Sequence, residues 1–170
     1  MDLIGHSLGR YHIIEQLGEG GMATVFKAYD TRLERDVAVK IIRVGQFGHD
    51  VIDSILKRFE REAKVLARLS HSNIVKVLDF GEHEGVPYLV MDYLPGGTLK
   101  EKLGQPMPWL QAARLLLPVS QALAYAHRQG VIHRDVKPNN ILMGHSGDPM
   151  LTDFGIAKLG GKSAAREEVL

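Results

Sequence analysis

Short apolar runs separated by polar turns fill the first half of the chain, one of them alternating with a period of two, and the pattern switches once to a helical period. Tyr11 to Leu17 is a short apolar strand that runs into Gly18-Glu19-Gly20-Gly21-Met22, a turn-forming cluster. Ala23 to Tyr29 then alternates, so that Val25, Lys27 and Tyr29 share one face. A polar turn, Asp30 to Asp36, leads to Val37–Val44, rich in β-branched residues. Three strands joined by short turns predict an antiparallel meander. From Ile52 to Leu69 the period becomes helical, with Ile52, Ile55, Phe59, Leu66 and Leu69 on one stripe. Val75 to Phe80 and Val86 to Tyr93 read as two further strands around a Gly81 to Gly85 turn. Leu94-Pro95-Gly96-Gly97 breaks the pattern and reads as a connector. Beyond it, Trp109 to Gln129 is helical, with Pro118 expected to kink it and Gly130 placed to end it. Val131-Ile132, Ile141-Leu142 and Met150-Leu151 are very short strand candidates. The expectation is an α+β chain: residues 1–93 form a five-stranded sheet plus one helix, and residues 94–170 are mainly helical.

Composition narrows the class without choosing a function. A chain of 170 residues, 45% hydrophobic and 24% charged, is a folded soluble protein by default. A net charge of +1 gives no reason to expect nucleic acid or an anionic membrane. The absence of cysteine excludes disulfides, thiolate metal sites and cysteine nucleophiles. Met1 to His6 lacks a basic region followed by an apolar core, and the apolar run from Trp109 to Ala126 is broken by Gln111, Arg114, Pro118, Ser120 and Gln121. The chain therefore reads as cytoplasmic, with no membrane segment.

Several motifs then carry chemistry. Gly18-Glu19-Gly20-Gly21-Met22-Ala23 is nearly G-x-G-x-x-G, with Ala23 in the last glycine position. A dinucleotide-binding turn would need a helix directly afterwards, whereas a strand follows here. A glycine loop that closes a hairpin can instead lay backbone N–H groups over phosphates. Val37-Ala38-Val39-Lys40 puts Ala38 and Lys40 on one strand face, which leaves room for a flat base beside an ammonium. A solvated strand-end lysine is the alternative. Glu62 lies three residues after Phe59 and four before Leu66, where a carboxylate needs a cation. Lys40 is one candidate; a local pair with Arg58 or Arg61 is the other. Finally, His133-Arg134-Asp135-Val136-Lys137-Pro138-Asn139-Asn140 is followed at short spacing by Asp153-Phe154-Gly155. Phosphoryl transfer needs a base near the acceptor hydroxyl, oxygen ligands for Mg²⁺ and cations on the moving phosphate, and Asp135, Asn140 with Asp153, and Lys137 supply these. A polar turn merely rich in Asp and Asn is the bland reading.

In this order the motifs resemble those of the eukaryotic-like protein kinases, particularly bacterial Ser/Thr kinases, over about Leu8 to Lys158. The resemblance implies a two-lobed fold with a complete N-lobe, using ATP and Mg²⁺ to phosphorylate Ser or Thr of a protein substrate. It implies that Gly18 to Val25, including Gly20, cover the phosphates and that Lys40 holds the α- and β-phosphates while pairing with Glu62. Met91 is the implied gatekeeper, with the backbone of Asp92 and Leu94 on the adenine edge and Leu17, Val25, Ala38 and Leu142 around the base. Asp135 is implied to orient the acceptor hydroxyl and take its proton, Lys137 to touch the γ-phosphate, and Asn140 and Asp153 to hold Mg²⁺. Val77, Leu66, His133 and Phe154 are implied to stack as a spine, which makes His133 structural. Arg134 is the implied dock for a phosphorylated segment, for which Ser163 is the available hydroxyl after Asp153.

Ala23 in place of a glycine casts little doubt on this. After Lys158, however, the resemblance implies an activation segment and several further helices, whereas only Leu159 to Leu170 remain. The helical lobe is thus expected to be incomplete, with Val119 and Leu123 exposed unless a partner covers them. A nucleotide-binding but catalytically weak decoy or scaffold is accordingly the alternative function. A small-molecule kinase of related fold is disfavoured by Lys137.

Overall fold

The structure, a computed structural model, describes residues 3–20, 23–43 and 49–154. Gly21, Met22, Val44, Gly155 and Ser163, named above, lie outside the described residues. The first half builds six strands and a helix: β1 (Ser7–Leu8), β2 (Tyr11–Glu19), β3 (Ala23–Asp30), β4 (Arg35–Ile42), α1 (His49–Leu66), β5 (Val77–His83) and β6 (Val86–Asp92). They form one antiparallel sheet in the order β1-β2-β3-β4-β6-β5. The expected five strands are present, and β1 adds a sixth. Two residues carry no readable period, which is why β1 was illegible in the sequence.

Alternation along the strands separates two cores. Val37, Val39 and Ile41 of β4 pack with Tyr11, Ile13, Phe26, Ala28 and Val90 on one face. Ala38 and Ile42 turn to the other, with Ala23, Leu89 and Met91, where Ile55, Phe59, Ala63 and Leu66 of α1 meet them. The first face curls closed. Four inter-strand spacings separate β2 from β5, about 19 Å if the sheet were flat. Yet the Tyr11 hydroxyl donates to Asp79 Oδ2 at 2.6 Å, and the Tyr11 and Tyr88 rings meet edge-on at 6.3 Å. Burial, then the bond to Asp79, drive the Tyr11 hydroxyl pKa well above its ordinary value, so it stays a donor.

The second half contains α2 (Leu99–Lys102), α3 (Trp109–Arg128), a 3₁₀ turn (Pro138–Asn140), β7 (Ile141–Met143) and β8 (Pro149–Leu151). α3 runs uninterrupted through Pro118. It ends in a Schellman arrangement: Gly130 has φ +74°, its N–H donates to His127 O at 2.9 Å, and Val131 N–H donates to Ala126 O at 2.9 Å. This use of Val131 is one reason Val131-Ile132 forms no strand. Val119, Ala122 and Ala126 form the buried stripe of α3 and join the core that contains α1. The exposure expected of Val119 is therefore corrected: it is 3% exposed, and Leu123 is half-buried. The exposed apolar residues lie on another face, at Trp109, Leu110, Leu116 and Leu117. Spacings of three and seven from Val119 pick out the buried side, whereas the pairs Trp109/Leu116 and Leu110/Leu117 repeat every seven residues elsewhere.

One seam joins the halves: Val75 N–H donates to Leu151 O and Leu151 N–H to Asn73 O, both at 2.8 Å. Within the second half, Met143 N–H donates to Gly97 O at 2.9 Å, and this contact between the connector and β7 is tight. A Cβ on Gly96 would lie 2.2 Å from the Met143 carbonyl oxygen, a backbone atom with little freedom to move. Gly96→Ala is expected to lower unfolding free energy by about 1–3 kcal/mol, as overpacking does. Urea unfolding measures this, and a loss below a few tenths of that would show that the connector yields freely.

Candidate active site

Between the sheet and β7 lies a cavity of about 380 Å³. Leu17 and Gly18 come to it from the end of β2, Val25 from β3, Ala38 from β4, and Met91, Asp92 and Leu94 from β6 and the connector. Leu142 closes the opposite wall. Of the residues expected around a base, every one lines this space. Gly20 stands beside it: its N–H donates to Ala23 O at 2.8 Å, which turns the chain from β2 into β3. Asp92 donates its own N–H to Lys76 O at 3.1 Å, which fixes the connector at its start.

The cavity also takes in Gly97, Thr98 and Glu101, which sequence reasoning missed. Thr98 caps α2, its Oγ1 accepting from Glu101 N–H at 3.3 Å and donating to Glu101 Oε1 at 2.8 Å. Thr98-Leu99-Lys100-Glu101 has the pattern of a capping box, a signal in the sequence for a helix start but not for the cavity. Thr152 is a second omission. Its hydroxyl leans on Met91 Sδ at 3.7 Å and so helps fix that side chain.

Lys40 lines a smaller adjoining cavity that shares Met91, Thr152 and Asp153 with the first; it is 5% exposed, with Nζ 2.6 Å from Asp153 Oδ1. Glu62 does not reach it. Its Oε1 accepts from Arg58 Nε at 3.2 Å, the local pairing that competed for it in the sequence. The physical reason lies in the helix face. Ala63 is fully buried and the stripe centres on Phe59 and Ala63, so Glu62 is left at its border with a one-third-exposed side chain. A half-solvated carboxylate is satisfied by water and a neighbouring arginine, whereas a buried ammonium demands the closest carboxylate.

The loop from His133 to Asn140 is held by side-chain-to-backbone bonds. Asn140 Nδ2 donates to Asp135 O at 2.8 Å and to Asp135 Oδ2 at 3.0 Å, and Lys137 Nζ lies 2.7 Å from that same oxygen. Thr152 N–H donates to Asn140 O at 3.0 Å, so Asn140 and Asp153 come from adjoining chain segments. Arg134 and Asp153 take left-handed backbone at φ +65° and +62°, a conformation costly for non-glycine residues that gathers at working sites. His133 is buried, with its ring centroid 4.5 Å from that of Phe154. Leu66 and Phe154 belong to one apolar core, and Val77 packs against it. Asp135 N–H can only donate, so His133 Nδ1 accepts at 3.3 Å. The proton of the neutral ring therefore sits on Nε2 and donates to Thr152 O at 2.8 Å.

Among the described residues no group of three or more His, Asp or Glu side chains gathers to hold a metal. Asn140 and Asp153 supply two oxygen donors of the hard type, which suits Mg²⁺ that keeps water and phosphate oxygens as its other ligands. Asn140 spends its amide nitrogen on Asp135 and keeps its oxygen; Asp153 spends one oxygen on Lys40 and keeps the other. The donor set fits.

Comparison with known proteins bears on the family of the chain. A family model described as the protein kinase domain matches residues 11–170. The chain is 42% identical over 158 residues to the serine/threonine-protein kinase PrkC of Bacillus subtilis, covering 91% of this chain and 24% of that protein. It is 45% identical over 152 residues to the probable serine/threonine-protein kinase PknB of Lactococcus lactis, covering 88% and 24%. The crystal structure of the Mycobacterium tuberculosis PknI kinase domain superposes with a TM-score of 0.76 at 31% identity, covering 89% of this chain and 61% of that one. The chain thus spans about a quarter of the length of the curated relatives it matches.

Burial holds the His133 pKa below its ordinary 6.5. The unfolded chain then binds a proton that the folded one refuses, so stability present above the unfolded pKa is lost as pH falls from about 6.5 through the lower folded value. Unfolding free energy should decline across that window, and His133→Phe should flatten the decline. NMR titration of the His133 ring checks the cause; a ring titrating at or above 6.5 would contradict it.

Proposed function

The chain belongs to the protein kinase domain family, and on that footing we propose that it binds Mg²⁺-ATP and transfers the γ-phosphoryl group to Ser or Thr hydroxyls of proteins. One observation carries the reading. Asp135, Lys137 and Asn140 share one hydrogen-bonded loop, and Asp153, tied to Lys40, sits on the rim of an apolar slot of a size for a nucleotide base. Adenine fits between Val25 and Ala38 on one side and Leu142 on the other, its edge toward the backbone of Asp92 and Leu94. Lys40 serves the α- and β-phosphates and Lys137 the γ-phosphate. Asn140 and Asp153 would hold Mg²⁺, which when bound neutralises charge on the phosphates. Asp135 orients the acceptor hydroxyl and takes its proton; its carboxylate is aimed by Asn140 and Lys137.

Glu62 joins the site only after leaving Arg58. A decoy or scaffold role is not favoured, because the relatives are named as Ser/Thr kinases and every expected catalytic side chain is present. None of the helices among the described residues is long and apolar enough to cross a membrane. We read the site as working in the cytoplasm, on protein and not on nucleic acid. A partner over the helical lobe would bury Trp109, Leu110, Leu116 and Leu117.

Two measurements test this. A fluorescent ATP analogue should bind in a Mg²⁺-dependent manner, and Lys40→Met and Asp153→Asn should each weaken it about tenfold or more. Equal binding by both variants would remove the assigned phosphate and metal ligands. Separately, Asp135→Asn should retain nucleotide binding yet lower phosphate transfer to a Ser/Thr substrate about 10²-fold or more. Undiminished transfer would dismiss Asp135 as the base.

A further inference from the structure

The hairpin of β2 and β3 pairs Glu19 with Thr24, and β3 pairs Thr24 with Ile41 of β4. Ala23 and Val25 face the cleft, so Thr24 and its cross-strand neighbour Glu19 lie on the opposite face of the sheet. Arg43, just past β4, reaches both. Its Nε and Nη2 donate to Thr24 Oγ1 at 3.2 and 2.8 Å, and Nη2 also donates to Glu19 Oε1. Gln16 Nε2 holds the second Glu19 oxygen at 3.3 Å. Thr24 is 8% exposed, so the guanidinium also satisfies a buried hydroxyl oxygen.

The geometry points to Arg43 as a positioning residue for the nucleotide's phosphates: it ties the ends of β2, β3 and β4 together behind the cleft and fixes the Gly18–Gly20 stem over the cavity. This rests on the nucleotide-binding reading above. The arrangement does two things at once. It sets the height of the glycine stem above the space that a polyphosphate would occupy. It also draws the Glu19 carboxylate to the rear face, where its charge is compensated; left free at the rim it would repel a polyphosphate well within one Debye length, about 8 Å. The bond to Arg43 holds the Glu19 carboxyl below its ordinary range, so the pair is ionised at neutral pH. A lysine could restore the charge but not the forked contact to two partners. The contacts of a base with Ala38, Met91 and Leu142 do not pass through this brace, so adenosine should feel it far less.

The test compares Mg²⁺-ATP with adenosine, which shares the base slot but lacks phosphates. Dissociation constants are measured for the wild-type chain, Arg43→Gln, Arg43→Lys and the double variant Arg43→Gln/Glu19→Gln. Arg43→Gln should weaken ATP binding about three- to tenfold and leave adenosine within about twofold, with Arg43→Lys between the two. The double variant should remain weak for ATP, because removing the charge does not restore the brace. Equal losses for ATP and adenosine, or no loss for either, would overturn the assignment. So would full recovery in the double variant, which would reduce Arg43 to a counter-charge. A wild-type chain that binds neither ligand would instead sink the nucleotide reading itself.

Discussion

The ammonium of Lys40 is the constraint on which the site depends. It is 5% exposed in a wall of apolar side chains, and burying such a charge is tolerable only beside an opposite one. Asp153 meets that demand at 2.6 Å from the far side of the cleft, so one ion pair fastens β4 to the segment after β8. Removing either partner from a buried pair costs about 3–5 kcal/mol in typical proteins, though the partial exposure of Asp153 screens this one. The same exposure leaves a carboxylate oxygen open to the cavity. The residue that stabilises the lysine is therefore also the one able to hold a cation, and a polyphosphate with its metal would relieve both groups at once.

Around that pair the polar atoms are fixed by backbone, which makes the site stiff. Asn140 bonds the carbonyl and the carboxylate of Asp135, and His133 bridges Asp135 N–H to Thr152 O. Asn140 and His133 are thereby referred to main-chain atoms, while the Asp135 carboxylate is held by the side chains of Asn140 and Lys137. A neutral imidazole suits this bridge because it can accept at one nitrogen and donate at the other. A protonated ring would offer two donors and face the Asp135 N–H with the wrong polarity. Burial against Phe154 keeps it neutral.

Legibility in the sequence followed the range of the interaction concerned. Short apolar runs, β-branched content and, in β3, alternation exposed β2 to β6 because these signals lie in adjacent residues, and the loop from His133 to Asn140 declared itself because its chemistry is packed into eight consecutive positions. The Gly130 stop was legible for the same local reason. Glu62 was not, since its choice between Arg58 and Lys40 depends on how α1 is rotated against the sheet, a tertiary matter decided by Ala63 and Phe59. The exposed side of α3 was misassigned because its period shows a stripe but not which stripe the rest of the chain covers. Glu101 escaped because the capping box explains it fully as helix chemistry, and only the fold brings it to the cavity.

The register of β4 joins these themes. Val37, Val39 and Ile41 fill the closed interior of the curled sheet, while Ala38, Lys40 and Ile42 face the cleft. A slip of one residue would exchange the two sets, since side chains alternate strictly across a strand. Lys40 would then enter an interior built from Tyr11, Ile13, Phe26 and Val90, away from Asp153, its partner across the cleft. Ala38 would vacate the wall that leaves room for a base. Arg43 would turn from Glu19 and Thr24 toward the cleft. The penalty for burying an unpaired ammonium thus enforces the alignment of β4 with β3 and β6. The chemistry of the site and the folding of the sheet are specified by the same residue: a lysine that can be buried in only one register is a marker that fixes that register.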